Sequence, residues 1–237
     1  MKNIALIIAG GSGQRMQQDI PKQFLNVYDK PVILYTLEAF QKHPSIDGIV
    51  IVCIEGWEQI LWSYCQQFNI TKLENIVAGG VNGQDSIRKG IYDIEERHEV
   101  DDLVLIHDAI RPLVSKDIIS DCIRVANKYG NAISVIPCAE AMLRTIDGQS
   151  STEQVPRDNL KRTQTPQCAS LGTLIEAHQE ALSKGITSSV ATCTMFIELG
   201  MKLYFSLGSE KNIKLTTIDD IEIFKALLNS TKSEWLK

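Results

Sequence analysis

The chain carries six cysteines, at Cys53, Cys65, Cys122, Cys138, Cys168 and Cys193, yet it has no C-x-x-C pair. That spacing argues against the common zinc sites, and a chain of 237 residues needs no disulfide framework to hold a core. The thiols therefore read as small core hydrophobes. No apolar run approaches the ~18 residues of a membrane span, so no membrane partner is expected. No charged-then-apolar leader precedes the first strand, and the chain reads as cytoplasmic. An excess of positive charge is missing too, since the net charge is −5. A nucleic-acid polymer is thereby disfavoured as a partner, although a local cationic pocket can sit in an acidic protein. Histidine is scarce: His43, His98, His107 and His178 show no obvious catalytic pairing. Internal repeats and low-complexity linkers are absent. What remains, 44% hydrophobic in composition, suits one α/β domain spanning 1–237.

The chain opens on an apolar run, Ile4 to Ile8, that is short, β-branched and non-alternating, as in a strand buried on both faces. It breaks into Gly10, Gly11, Ser12 and Gly13. Such a loop turns tightly and presents bare amide N–H groups to phosphate oxygens. Two cations follow, Arg15 and Lys22, the second stiffened by Pro21. A strand, a glycine loop and two cations suggest a polyphosphate site. It is not the dinucleotide fingerprint, because Met16 stands where a third glycine belongs, and it is not a P-loop, because no Gly-Lys-Ser/Thr follows.

Pro31 can open a helix whose stripe is Ile33, Leu34, Leu37 and Phe40, ending near His43-Pro44. Gly48 to Ile54 reads as a second buried strand, and 57 to 68 as a helix with Ile60, Leu61, Tyr64, Cys65 and Phe68 on one face. A short strand at Ile76 to Ala78 leads into Gly79-Gly80 and a helix from about 84 to 96. Leu103 to Ile106 is another buried strand, running into His107-Asp108-Ala109-Ile110-Arg111-Pro112. A striped helix from Lys116 to Lys128 and a strand from Ala132 to Ile136 follow. This alternation argues for a parallel, doubly wound sheet, with ligands beyond the carboxyl ends of the strands. Gly10 to Lys22, Gly79 to Ser86 and His107 to Arg111 would all gather at that edge. Residues 137 to 157 are too polar for a core strand pair and read as a projecting hairpin arm, a common oligomer contact. Gln164-Thr165-Pro166-Gln167 reads as a turn. Helices near 171 to 184 and 187 to 199 and a strand at Leu203 to Leu207 come next. The last helix would turn Ile218, Ile221, Phe224 and Leu228 inward.

Five pieces lie in order along nearly the whole chain: Ala9 to Met16, Pro21-Lys22-Gln23-Phe24-Leu25, His107-Asp108-Ala109-x-Arg111-Pro112, Gln164-Thr165-Pro166-Gln167 and Asn212-Ile213-Lys214. Together they resemble the cytidylyltransferases that include the 2-C-methyl-D-erythritol 4-phosphate and ribitol-5-phosphate enzymes. The resemblance implies a Rossmann-like, mostly parallel doubly wound α/β sheet with a projecting β-arm. It also implies a homodimer with interlocking arms, and CTP with Mg²⁺ as the divalent ion. Ala9, Gly10, Gly11, Ser12, Gly13, Arg15 and Lys22 would hold the triphosphate. Gly80 and Ser86 would border cytosine. Asp108 and Ala109 would hold ribose or acceptor hydroxyls, with Asp108 also placing the metal. Arg111 and Thr165 would orient the acceptor, Lys214 would face the reacting phosphate, and Arg157 would reach the partner subunit's acceptor from the arm. Three stretches depart from what the resemblance leads one to expect: Gly83 stands in place of Arg, Glu140-Ala141 in place of Asp-Thr, and Thr187-Ser188 in place of Thr-Asp.

The implied reaction joins CMP to a polyol phosphate and releases pyrophosphate. A phosphomonoester has a second pKa of about 6, so its oxygen is already a nucleophile at neutral pH and needs no general base. The scarcity of histidine agrees with that. Two other readings stand beside it: a sugar-1-phosphate nucleotidyltransferase, and a non-catalytic nucleotide-binding assembly protein.

Overall fold

The computed structural model describes residues 1–11 and 20–230. Its centre is a seven-stranded sheet. β1 (Asn3–Ala9), β4 (Gly48–Cys53) and β5 (Leu73–Ala78) lie to one side, and β6 (Leu103–Asp108), β10 (Lys161–Ser170), β7 (Asn131–Pro137) and β11 (Phe205–Leu207) to the other. The order is β11-β7-β10-β6-β1-β4-β5. β1 pairs in parallel with both β4 and β6, placing Ile8 beside Val52 and Asp108. β10 alone runs antiparallel to its neighbours β6 and β7. Two small pairs complete the strands: β2 (Asn26–Val27) with β3 (Lys30–Pro31), and β8 (Met142–Arg144) with β9 (Glu153–Val155).

The alternation of side chains along β1 divides the core in two. Ala5, Ile7 and Ala9 face a cluster built from α1 (Val32–Lys42), α2 (Glu58–Gln67) and α4 (Lys116–Tyr129), with Phe40, Leu61 and Cys122 among its members. Ile4 and Leu6 face the opposite cluster, built from α3 (Gly83–Glu95), α5 (Leu171–Ser183) and α6 (Thr192–Glu198), with Ile91, Leu174 and Phe196. Helix ends follow local chemistry. Ser115 caps α4 by accepting from the Ile118 amide at 3.3 Å, and Gly130, at φ 91°, ends it in the left-handed region that glycine enters freely. α7 (Ile218–Ser230) packs Phe224 edge-on against Tyr35 with 5.1 Å between ring centroids. All six cysteines are buried and unpaired. Among the described residues no helix is long and apolar enough to cross a membrane.

Several details differ from the sequence expectation. Residues 164–167 are not a free turn: they sit inside β10, whose register shifts between Thr163 and Gln167 while pairing resumes on both sides. Proline and two glutamines mimic a turn because this stretch bonds sideways to 209–212 instead of along the ladder. The helix expected over 187–199 is confined to Thr192–Glu198, since the preceding backbone is held by side chains of other elements. Ile60 is 42% exposed, because α2 buries only Leu61 and Cys65. Ile218, at the first position of α7, is 57% exposed, and Phe224 is the residue that helix buries. β5 is longer than expected and only half-buried, as an edge strand. The 137–157 stretch contains the β8–β9 hairpin, with Leu143 64% and Ile146 102% exposed.

Candidate active site

From β1 the chain proceeds outward to β4 and β5, then returns to lay β6 on the other side of β1. The strand order reverses between β1 and β6, and beyond their carboxyl ends such sheets leave a crevice. A cleft of about 550 Å³ opens there. Among the sequence-predicted residues it is lined by Ala9, Gly10, Gly11, Lys22, Gly80, Ser86, Asp108, Ala109, Arg111, Thr165 and Lys214. Ser12, Gly13 and Arg15 lie outside the described residues. Arg157 lies in the described structure but away from the cleft, on the arm, where its Nη1 donates to the Ala139 carbonyl at 2.7 Å.

Two glycine loops form one wall. A Cβ on Gly10 would stand 3.2 Å from Ser86 Oγ, and one on Gly79 would stand 3.1 Å from the Cys53 carbonyl oxygen and 3.4 Å from Gly10 Cα. Only glycine lets the two backbones approach this closely. Ser86, in the first turn of α3, accepts from the Gly80 amide at 3.0 Å and so pins the second loop to the helix. The first loop is pinned from below. Gln23 is 2% exposed and donates to the Ala9 carbonyl at 2.7 Å and to the Gly11 carbonyl at 3.2 Å. Gln23 follows Lys22 in the 3-10 turn Lys22–Phe24, so the bond that shapes the glycine loop also fixes where the lysine starts.

The opposite wall is an acid held between cations. Asp108, last in β6, accepts from Lys214 Nζ through Oδ1 at 3.1 Å and from Arg111 Nε through Oδ2 at 3.1 Å. Burial alone would raise its pKa, but Lys214, Arg111 and the neighbouring His107 outweigh burial and hold the carboxyl below its usual range. Lys214 precedes α7, where the helix dipole disfavours a cation, and the Asp108 carboxylate offsets that cost. Its segment is tied on both sides: Asn212 donates to the Thr165 carbonyl at 2.9 Å, and the Leu215 amide donates to Ile110 at 2.9 Å. Arg111 is fixed further by donating to the Asn212 carbonyl at 2.7 Å.

His107 supports this wall. Its Nε2 lies 3.2 Å from the Arg111 carbonyl, which can only accept, so that nitrogen carries the proton. Nδ1 then accepts from the Thr165 hydroxyl at 3.1 Å, and that hydroxyl accepts in turn from the Asp108 amide at 3.1 Å. Burial pushes the His107 pKa down to about 4, so the ring stays neutral at neutral pH and serves as a fixed strut. Sequence reasoning assigned no role to Gln23, to the buried Asn212, or to Thr36, which donates to the Ala109 carbonyl at 2.8 Å. Gln23 and Asn212 lay within recognisable motifs. Thr36 sits in an apolar helix stripe and gave no signal.

Among the described residues no group of three His, Cys, Asp or Glu side chains could cage a metal, and Asp108 is the one carboxylate on the cleft wall. That set fits a magnesium ion, which is usually held by one or two carboxylates together with substrate phosphates.

Known proteins resemble this chain along nearly its whole length. The family model of 2-C-methyl-D-erythritol 4-phosphate cytidylyltransferase (IspD) matches residues 3–230. The ribitol-5-phosphate cytidylyltransferase of Lacticaseibacillus paracasei is 42% identical over 226 residues, covering 94% of this chain and 97% of that protein. The 2-C-methyl-D-erythritol 4-phosphate cytidylyltransferase of Clostridium botulinum (strain Langeland) is 38% identical, covering 96% and 97%. Among solved structures, the Francisella tularensis 2-C-methyl-D-erythritol 4-phosphate cytidylyltransferase superposes with a TM-score of 0.77 at 26% identity, covering 95% of this chain and 99% of that one.

Proposed function

The chain belongs to the 2-C-methyl-D-erythritol 4-phosphate cytidylyltransferase family, and from that premise we propose that it transfers CMP from CTP to ribitol 5-phosphate and releases pyrophosphate. It is a nucleotidyltransferase of the cytidylyl class. The observation that carries the reading is the convergence of Lys22, Arg111 and Lys214 with two bare glycine loops on one cleft. The pentitol acceptor is supported by the 42% likeness to a protein named for it, and by Glu140-Ala141 and Ser188 where the family favours other residues.

In this reading an acceptor phosphate oxygen bonds to the α-phosphorus of CTP, in line with the breaking bond to the bridging oxygen of the β-phosphate. Pyrophosphate leaves with that electron pair. The nucleophile enters ionised, so no side chain needs to take a proton, which suits a neutral His107. Two polyanions must meet, and the chain's part is to neutralise them. Gly10 and Gly11 offer amides, Lys22 and Arg15 draw charge off the triphosphate, and Lys214 and Arg111 face the acceptor phosphate. Asp108, together with substrate phosphate oxygens, would hold a Mg²⁺, which would supply further neutralisation of phosphate charge. The arm joins the same reading: the β8–β9 hairpin pairs two copies through Leu143 and Ile146, and each Arg157 reaches its neighbour's acceptor site. All six cysteines are buried and unpaired, which suits a reducing cytoplasm.

Pyrophosphate release from CTP across a panel of polyol phosphates tests the proposal. Ribitol 5-phosphate should exceed 2-C-methyl-D-erythritol 4-phosphate in kcat/KM by about tenfold or more, a difference of roughly 1.4 kcal/mol. The reverse order would overturn the acceptor, and turnover only with UTP and a sugar 1-phosphate would overturn the reaction. For the arm, sedimentation should give a dimer that Leu143→Asp with Ile146→Asp converts to monomer, raising the acceptor KM as Arg157→Ala does. An active monomer with unchanged KM would remove the arm from the site.

A further inference from the structure

Helix α3 belongs to the nucleotide wall, and its first turn works on two sides: Ser86 lines the cleft, while Gln84 reaches away and grips a different segment. Gln84 is 4% exposed and does not line the cleft. Its Nε2 donates to the Ile186 carbonyl at 2.8 Å, and its Oε1 accepts from the Ser189 amide at 2.7 Å. Asn82 adds a third bond, donating to the Thr187 carbonyl at 3.0 Å. The far end of the same segment is gripped from β10. Gln167, 3% exposed, accepts from the Cys193 amide at 2.9 Å and donates to the Gln164 carbonyl at 3.2 Å. Residues 186–193 are thus strung between two buried glutamines on two walls. What they carry between those anchors is Val190, Ala191 and Thr192, all of which line the cleft, with Val190 94% exposed.

We propose that Gln84 is a positioning residue for acceptor recognition: it fixes the 186–193 strap so that Val190 to Thr192 form the wall facing Thr163 to Gln167. This rests on the cytidylyl-transfer reading above. Between the Ile186 amide, which bonds back to the Ala181 carbonyl at 2.8 Å, and Ala191, which Thr194 caps at 3.0 Å, the strap has no ladder or helical bonds, so side-chain contacts guide its course there. A buried primary amide suits the task because it satisfies one carbonyl and one amide three residues apart, and leaving both unmade is costly. The nucleotide loops do not depend on it. Gly80 is held by Ser86 and Val81 by Asp85, through bonds that bypass Gln84. Gln84 therefore supports the strap, while Ser86 and Asp85 support the second glycine loop.

The test is Gln84→Met, which keeps length and apolar volume but removes both hydrogen bonds, with Gln84→Glu as a partner that retains the acceptor for Ser189. In steady-state pyrophosphate release, Gln84→Met should raise the KM for ribitol 5-phosphate about tenfold while the KM for CTP stays within about twofold. Gln84→Glu should fall between that variant and the unmodified enzyme. Equal rises in both KM values, or no rise in either, would overturn the assignment. Hydrogen exchange on the full chain gives a readout independent of turnover: Gln84→Met should speed exchange of the Ser189 amide and leave those of Gly80 and Val81 unchanged. Unchanged exchange at Ser189 would overturn the strap even if activity fell. An inactive unmodified enzyme with the expected exchange pattern would instead overturn the functional reading and leave the strap standing.

Discussion

β6 has an aspartate at each end, and the two make an instructive pair. Asp102 immediately precedes the strand and Asp108 ends it. Both are largely shielded, with side chains 5% and 20% exposed, and both carboxyls are held below the usual range although burial works to raise them. Their partners differ in kind. Asp102 accepts the Lys2 amide at 2.6 Å and the Glu99 amide at 3.2 Å, with His98 Nδ1 at 3.5 Å and only the amino terminus, at 4.0 Å, as a full cation. His98 in turn meets Glu74 at 2.7 Å through Nε2. That cluster is rich in carboxylate and closed on itself. Asp108 instead sits between two full cations on the wall of a cleft that also holds Lys22. A dense group of charges marks a reactive place only when one sign is left over and a cavity faces it. Among the described residues the rim at Asp108 meets both conditions, with Lys22, Arg111 and Lys214 lining a cleft that has one carboxylate.

The strongest way to break the contrast is to remove the surplus. Lys22→Ala or Lys214→Ala should lower kcat/KM by roughly a hundredfold or more, about 3 kcal/mol, with the melting temperature little changed. Near-normal turnover in either would detach the cations from the chemistry. A second, comparable effect concerns acid. Burial holds His107 and His178 at a pKa of about 4, below the ordinary value of 6.5. The unfolded chain then binds protons that the folded one refuses, so stability falls as pH drops from about 6.5 toward 4 and is fully present above that window. The loss is up to about 3 kcal/mol for each ring. Denaturant midpoints between pH 7 and 4.5 would measure it, and His178→Met should remove a large part of the slope. The smallest effect should come from the closed end of the strand. Asp102→Ala strands two backbone amides and should cost about 1–3 kcal/mol of stability, seen as a lower melting temperature with kcat/KM near its starting value. A large loss of activity there would erase the distinction between the two ends.

Much of the site could be read from the sequence because its parts announce themselves by composition. Gly10-Gly11 after a β-branched strand and His107 to Arg111 after another needed only the rule that ligands meet the carboxyl ends of such strands. The cations were legible because charge next to glycine is unusual. The uncharged amides were not. Gln84, Gln164 and Gln167 act through both atoms of the amide, and Gln23 through its nitrogen, on backbone mostly from other elements of the fold, and no periodicity encodes that. For the same reason the 187–199 helix was drawn too long, and Gln164 to Gln167 was read as a turn while it lies in a bulged strand. Ile60 and Ile218 misled because a stripe on paper is wider than the seam a helix buries.

Lys214 meets Asp108 across 106 positions of sequence, on a segment whose polar contacts run to Ile110, Arg111, Gln164 and Thr165 and whose Ile213 and Leu215 pack beside Val27 and Val32. While the chain is being synthesised, the glycine loops and Asp108 exist long before that ammonium does. In the proposed reaction, a nascent protein would display the glycine loops and Asp108 without the ammonium that would let two anions react. Competence arrives late in synthesis, coupled to docking of the final quarter of the fold.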